Sequence, residues 1–95
     1  MNIANLHTAE KRVSAVKIAH EGKAEIRAIK ILKNEILAKH TTTIPAVLVC
    51  TSGETIYESE VGEKHVLGTG DYVNIKPNII HWLKAVEDSQ LLLIK

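Results

Sequence analysis

Five histidines are the residues of this 95-residue chain whose chemistry is most informative. Imidazole is the commonest metal ligand among side chains, and it donates or accepts hydrogen bonds near neutral pH. A suitable spacing of histidines therefore indicates a metal site or a site for a polar or anionic ligand. The five are His7, His20, His40, His65 and His81.

Two of the histidines lie in segments that resemble a known pair of motifs. The first segment, residues 34–53, contains His40, and the second, residues 70–85, contains His81. Together they resemble the two motifs of the cupin family. The first motif reads Gly, five residues, His-x-His, three or four residues, Glu, six residues, Gly. The second reads Gly, five residues, Pro-x-Gly, two residues, His, three residues, Asn. The spacing matches throughout, and the resemblance covers about residues 24–95.

The resemblance implies where a metal would lie, and most of its ligands are replaced in this chain. In a metal-bearing cupin, three His and one Glu hold a divalent ion; by position they correspond to His40, Thr42, Ala46 and His81. Two imidazoles remain, whereas catalytic iron, manganese and zinc sites generally use three or more protein ligands. We therefore expect His40 and His81 to hold at most a weakly bound divalent ion. They are also, with Thr42, the candidate residues for a small ligand.

The turn positions of the two motifs are better preserved. Asn34 and Asn78 replace motif glycines, and Asn adopts the left-handed conformation more readily than most residues. Gly53 and Gly70 remain. The sequence therefore predicts that the turns around the site are kept although the ligands are not.

The elements that must position these residues are predicted to be strands. From residue 22 on, most turn signals lie about 8 to 18 residues apart, a rhythm typical of all-β sandwiches and barrels. Residues 8–39 are rich in helix-forming Ala, Glu and Lys, but the β rhythm favours strands there too, with a hairpin turn at Gly22. In Ile80–Val86, alternation places His81 on the face opposite Trp82. The other predicted strands are Ala46–Thr51, Thr55–Val61, Asp71–Lys76 and Leu91–Ile94.

The predicted fold class is all-β, a small antiparallel β-barrel or jelly roll. Residues 1–12 are expected to form an N-terminal arm and residues 13–95 a single cupin-like domain. The apolar run Leu91–Ile94 needs cover on both faces, and Trp82 points outward. With the small core of so short a chain, these features predict a homodimer.

Composition excludes several classes of protein. The formal net charge is +1 and Lys and Arg are dispersed, so we expect no nucleic-acid partner. No apolar run approaches the length of a membrane span, and no secretion signal is apparent, so no membrane is expected. The single cysteine, Cys50, is interpreted as a small buried apolar residue and favours a reducing cytoplasm.

Three functions remain open on these grounds. The first is a non-catalytic cupin that binds a small ligand in the barrel around His40 and His81. The second is a metal-dependent enzyme of the dioxygenase or isomerase type, with water or substrate completing an incomplete ligand set. The third is a structural or interaction module. The loss of the carboxylate at Ala46 ranks the first above the second, because two neutral ligands hold a redox ion poorly.

Overall fold

Nine strands and one short 3-10 helix form the secondary structure of the described residues, which are 1–18, 22 and 24–95 of a computed structural model. The 3-10 helix spans Ile3–Leu6. The strands are β1 (Val13–Ile18), β2 (Ile26–Ile31), β3 (Ile36–His40), β4 (Ala46–Ser52), β5 (Glu54–Ser59), β6 (Lys64–Gly68), β7 (Tyr72–Ile75), β8 (His81–Ala85) and β9 (Ser89–Ile94).

The strands form two antiparallel sheets that face each other. The five-stranded sheet, sheet A, has the order β1-β2-β9-β4-β7, and the four-stranded sheet, sheet B, has the order β3-β8-β5-β6. The prediction of an all-β jelly roll is confirmed. In the part of the chain that the structure describes, no helix is long and apolar enough to cross a membrane.

The core lies between the sheets and is largely aliphatic. Alternate residues of each strand point inward, as the burial of Ala46, Leu48 and Cys50 along β4 shows. In β9, Leu91 and Leu93 are buried in this core, whereas Leu92 and Ile94 lie on the outer face of sheet A. The other inward side chains that pack together are Ile29, Ile31, Tyr57, Leu67, Val73, Ile75, Leu83 and Ala85.

In the ambiguous first third of the chain, the described residues include two strands, β1 and β2. The helix propensity of these residues is overridden because β2 buries Ile29 and Ile31 against β9. β9 is distant in the sequence, so local propensity does not reflect this contact. The predicted hairpin turn lies mostly outside the described residues, although Gly22 itself has a φ of +85°. His20 also lies outside the described residues.

The two asparagines that replace motif glycines adopt the left-handed conformation. Asn34 has a φ of 67° and Asn78 a φ of 63°, which confirms the prediction made from the sequence. Each turn is fixed by a backbone hydrogen bond. The N–H of Asn34 donates to the Ala85 carbonyl at 2.8 Å, and the N–H of Asn78 donates to the Thr42 carbonyl at 2.8 Å.

The N-terminal segment lies on the outer face of sheet A. His7 Nδ1 and Ser14 Oγ form a hydrogen bond of 2.8 Å, and Lys30 Nζ donates to the Thr8 carbonyl at 2.9 Å. Ala28 points away from the core and yet is fully buried. We infer that the segment covers the β1 and β2 part of this face.

The turn at Gly53 gives a test of the fold. A Cβ at residue 53 would clash with the Asp88 carbonyl oxygen and lie 2.6 Å from Ser89 Oγ, and the φ of +88° is itself unfavourable for alanine. We expect Gly53→Ala to lower the free energy of unfolding by roughly 2–5 kcal/mol, the sum of conformational strain and overpacking. Urea unfolding measures this change.

Gly62→Ala is the matched control, because Gly62 has a φ of +87° and nothing within 4 Å of the added Cβ. It should cost only about 1–2 kcal/mol. Equal losses in the two variants would show that the packing around Gly53 is not as described.

Candidate functional site

The structure brings His40 and His81 together at one end of sheet B. The two residues are paired in the antiparallel ladder of β3 and β8. Their ring centroids are 4.1 Å apart, with an interplanar angle of 66°. The two imidazole rings therefore contact each other directly.

A β-bulge in β3 is the reason that His40 faces His81. Leu37 pairs with Leu83 and His40 with His81, so three steps along β3 oppose two along β8. Strict alternation from the inward Leu37 would point His40 away from the core. The extra residue reverses that orientation and brings the imidazole to the pocket side.

Hydrogen bonds fix the tautomers of both rings when they are neutral. His40 Nδ1 lies 2.8 Å from the Ala38 carbonyl oxygen, and His81 Nδ1 lies 3.1 Å from that of Ile79. A carbonyl oxygen only accepts, so each Nδ1 carries a proton and each neutral ring keeps the lone pair on Nε2. Both Nε2 atoms can accept a hydrogen bond or coordinate a cation.

His81 is kept neutral by its surroundings. Only 2% of the residue is exposed. Burial lowers the pKa of His81, the neighbouring His40 lowers it further, and the hydrogen bond to the Ile79 carbonyl opposes these effects only in part. His81 is therefore an acceptor at neutral pH.

Tyr57 supports the ring of His81 and was not identified from the sequence. Its ring stacks on His81 at a centroid distance of 5.6 Å and lies 6.0 Å from His65. Burial, followed by the negative charge of Glu63, raises the pKa of Tyr57, so the phenol stays protonated. The alternation of Ile56 and Tyr57 was the available signal, but it did not tell which of the two faces the core.

The other two ligand positions of the cupin motifs, Thr42 and Ala46, do not add a metal ligand beside His40 and His81. Thr42 is buried, and its hydroxyl accepts from the Ile44 N–H at 3.1 Å and donates to the Ile44 carbonyl. Ala46 has no donor atom. The described residues contain no group of three or more His, Cys, Asp or Glu side chains that could hold a metal ion. Two imidazoles alone do not fit a resident catalytic metal.

A cavity of about 300 Å³ opens beside His40 at this end of the sandwich. We call it the mouth cavity. Its apolar walls include Ile29, Leu37 and Leu93, and Arg27 also lines it. His81 is not among the lining residues and lies behind His40. The cavity is large enough for a small organic molecule, and His40 is the imidazole that such a molecule would meet first.

Comparisons with known proteins identify the architecture. No protein-family model matches the sequence, and no curated protein shows significant similarity to it. Solved structures do match. A cupin superfamily protein from Desulfitobacterium hafniense has a TM-score of 0.84 and 15% identity, over 98% of this chain and 84% of that one. The chain has a cupin fold.

Two further solved structures agree with the fold over most of the chain. An RmlC-like cupin family protein with a double-stranded β-helix fold from Methanocaldococcus jannaschii has a TM-score of 0.78 and 17% identity, over 94% of this chain and 84% of that one. KdgF from Halomonas sp. has a TM-score of 0.79 and 21% identity, over 93% and 81%. Identities this low establish the shared fold and leave the function to the site.

The lowered pKa of His81 makes the free energy of unfolding depend on pH. The unfolded chain takes up a proton near the ordinary pKa of 6.5, and the folded chain only at lower pH. Between these two values the unfolded state binds more protons, so stability rises with pH. The contribution of neutral His81 is full above about pH 6.5 and is lost as the pH falls below it. Urea unfolding at a series of pH values measures the slope.

His81→Gln should reduce this slope, and His65→Gln, which removes an exposed imidazole, should retain it. Burial, with the charge of Lys30, also lowers the pKa of His7. His7 therefore contributes to the pH dependence of stability with the same sign as His81, and His7→Gln measures its share of the slope. A slope that His81→Gln leaves unchanged would contradict the assignment of His81 as a buried neutral acceptor.

Proposed function

We propose that this chain is a non-catalytic cupin that binds a small organic ligand in the mouth cavity. The observation that carries the proposal is that His40 lines a cavity of about 300 Å³. The hydrogen bond from Nδ1 to the Ala38 carbonyl leaves the lone pair of the neutral ring on Nε2. His40 accepts a hydrogen bond from a donor group of the ligand, such as a hydroxyl. The single buried Cys50 is in keeping with a reducing cytoplasm as its location.

The remaining predicted site residues act around His40. His81 fixes the inner side of the His40 ring, and Tyr57 in turn fixes His81. Thr42 contributes through the turn that follows β3, because its hydroxyl is used by Ile44 and its carbonyl accepts from Asn78. We therefore propose a direct ligand contact for His40 and supporting roles for His81 and Thr42.

Ligand-observed NMR with a library of small polar compounds tests the proposal. Compounds that bind the folded chain are then titrated by calorimetry against the wild type, His40→Gln and His65→Gln. We expect His40→Gln to weaken binding about tenfold, since one buried hydrogen bond is lost. His65→Gln should bind as the wild type does. Equal affinities in all three proteins, or no bound compound at all, would overturn the proposal.

A zinc titration of the same proteins tests the metal-dependent alternative. With two imidazole ligands, we expect weak binding and no stoichiometric metal in protein purified without a metal-affinity tag. Tight stoichiometric metal that is lost in both His40→Gln and His81→Gln would favour an enzyme with an incomplete ligand set instead.

A structural or interaction module is the second candidate function. It is favoured by the interior of the sandwich, which is filled by side chains such as Leu48, Leu83 and Leu91. A failed ligand screen together with an intact fold would support this candidate.

We also propose that the chain forms a homodimer through the outer face of sheet A. The two features from which a dimer was predicted lie on opposite faces of the sandwich. Trp82 is on sheet B, where Lys39 Nζ lies 5.3 Å above its ring. On sheet A, outward apolar side chains continue from Leu92 and Ile94 on β9 to Val47 and Val49 on β4. Such a patch of uncharged apolar side chains suits a two-fold contact between two copies.

Sedimentation of the wild type at micromolar concentration should give about 21 kDa, twice the chain mass of 10.5 kDa, as expected for symmetric pairing. Ile94→Lys, at a residue 37% exposed on sheet A, should give the monomer. Val66→Lys, at a residue 56% exposed on sheet B, should remain a dimer. A monomeric wild type would rule out the dimer, and dissociation by Val66→Lys alone would place the interface on sheet B.

A further inference from the structure

Three cationic side chains surround one carboxylate at the edge of the mouth cavity. Arg27 Nη2 donates to Glu25 Oε1 at 3.1 Å, Lys17 Nζ lies 3.7 Å from the same oxygen, and Lys95 Nζ lies 3.7 Å from Glu25 Oε2. We call Lys17, Arg27 and Lys95 the cation cluster. Among the described residues, its positive side-chain charge exceeds the negative charge of Glu25.

The strand register places two members of the cation cluster, Arg27 and Lys95, at the mouth cavity. Arg27 lies on the inward face of β2, in line with Ile29 and opposite Leu93 on β9. Arg27 and Lys95 line the mouth cavity together with His40. A molecule in the cavity therefore has apolar walls below it and two cations at its rim.

Two backbone hydrogen bonds hold the main chain of Glu25 beside Lys95. Its N–H donates to the Lys95 carbonyl at 2.6 Å, and the Lys95 N–H donates to the Glu25 carbonyl at 2.9 Å. Burial alone would raise the pKa of Glu25, but the hydrogen bond and charge of Arg27, with Lys95 and Lys17, lower it overall. Glu25 is thus ionised at neutral pH, and one carboxylate is shared among three cations.

Arg27 retains donors for a second anion. A guanidinium has five N–H donors in a planar fork that matches a carboxylate, and the bond to Glu25 uses only one of its two terminal nitrogens. Charge-assisted hydrogen bonds of this kind are the strong ones, above all where apolar walls limit access of water.

We propose that the mouth cavity selects a small ligand that carries one carboxylate and a short apolar body. The carboxylate binds Arg27 and Lys95, and the apolar body packs on Ile29, Leu37 and Leu93 beside His40. This inference rests on the proposed function and adds the charge and polarity of the ligand.

Calorimetry of the full chain with three probes of equal length tests the selection. The probes are hexanoate, hexanol and hexylammonium, at near-neutral pH. We expect hexanoate to bind about tenfold more tightly than hexanol, and hexylammonium to bind more weakly than both. The preference should diminish between ~0.01 M and ~0.15 M salt, as the screening length shortens.

The outcomes separate the inference from the proposed function. If hexanol binds as tightly as hexanoate and His40→Gln weakens the binding of hexanol, the mouth cavity binds ligands but does not select anions, and the inference alone is overturned. If none of the three probes binds, the inference fails; the proposed function fails only if the wider library also gives no bound compound.

Two variants and one control test whether the cation cluster causes the preference for a carboxylate. Arg27→Gln should weaken hexanoate binding about tenfold and leave hexanol unchanged. Arg12→Gln is the matched control, because Arg12 also pairs with a glutamate, Glu35, but does not line the cavity. It should bind hexanoate as the wild type does.

Glu25→Gln should strengthen hexanoate binding by about two- to fivefold, since the ligand no longer competes with an internal carboxylate for a solvent-screened cation. A variant that merely destabilises the fold cannot bind more tightly. Unchanged hexanoate affinity in Arg27→Gln, or in Glu25→Gln, would overturn the role of the cluster.

Discussion

The pairing of β3 with β8 is the constraint on which the candidate site depends. It joins segments some forty residues apart in the sequence and sets His40 against His81. The bulge after Leu37 turns His40 inward, and the hydrogen bond from the Asn78 N–H to the Thr42 carbonyl holds the end of β3 beside the start of β8. Without this register, the two imidazoles would lie on different faces, and the mouth cavity would lose its one polar wall on sheet B.

The replacement of two of the four cupin metal ligands changes which chemistry the candidate site can support. The carboxylate position is Ala46 and the second histidine position is Thr42, whose hydroxyl is satisfied by Ile44. Two imidazoles are left on sheet B, while the cation cluster lies across the cavity on sheet A. In the function that we propose, this end of the fold receives an organic molecule instead of holding a cation, with His40 on one side of the cavity and positive charge on the other.

Much of the scaffold could be predicted from the sequence, because it depends on local chemistry. The left-handed turns at Asn34 and Asn78 follow from the residue type, and the inward orientation of His81 follows from simple alternation in β8. The bulge in β3 could not be predicted, since it is a mismatch between two strands and neither strand alone contains it. Tyr57 was missed for a related reason: both faces of β5 carry apolar residues, so alternation did not identify the buried one. The cation cluster depends on pairing β2 with the last strand of the chain.

The most direct test of this account is a long-range proton–nitrogen NMR spectrum of the imidazole rings, recorded with and without saturating hexanoate. We expect the neutral rings of His40 and His81 to carry their protons on Nδ1, as their carbonyl partners require. We expect hexanoate to shift the nitrogen signals of His40 more than those of His65, which lies outside the mouth cavity. Protons on Nε2, or equal shifts for His40 and His65, would contradict the claim that His40 forms the ligand-facing wall of the site.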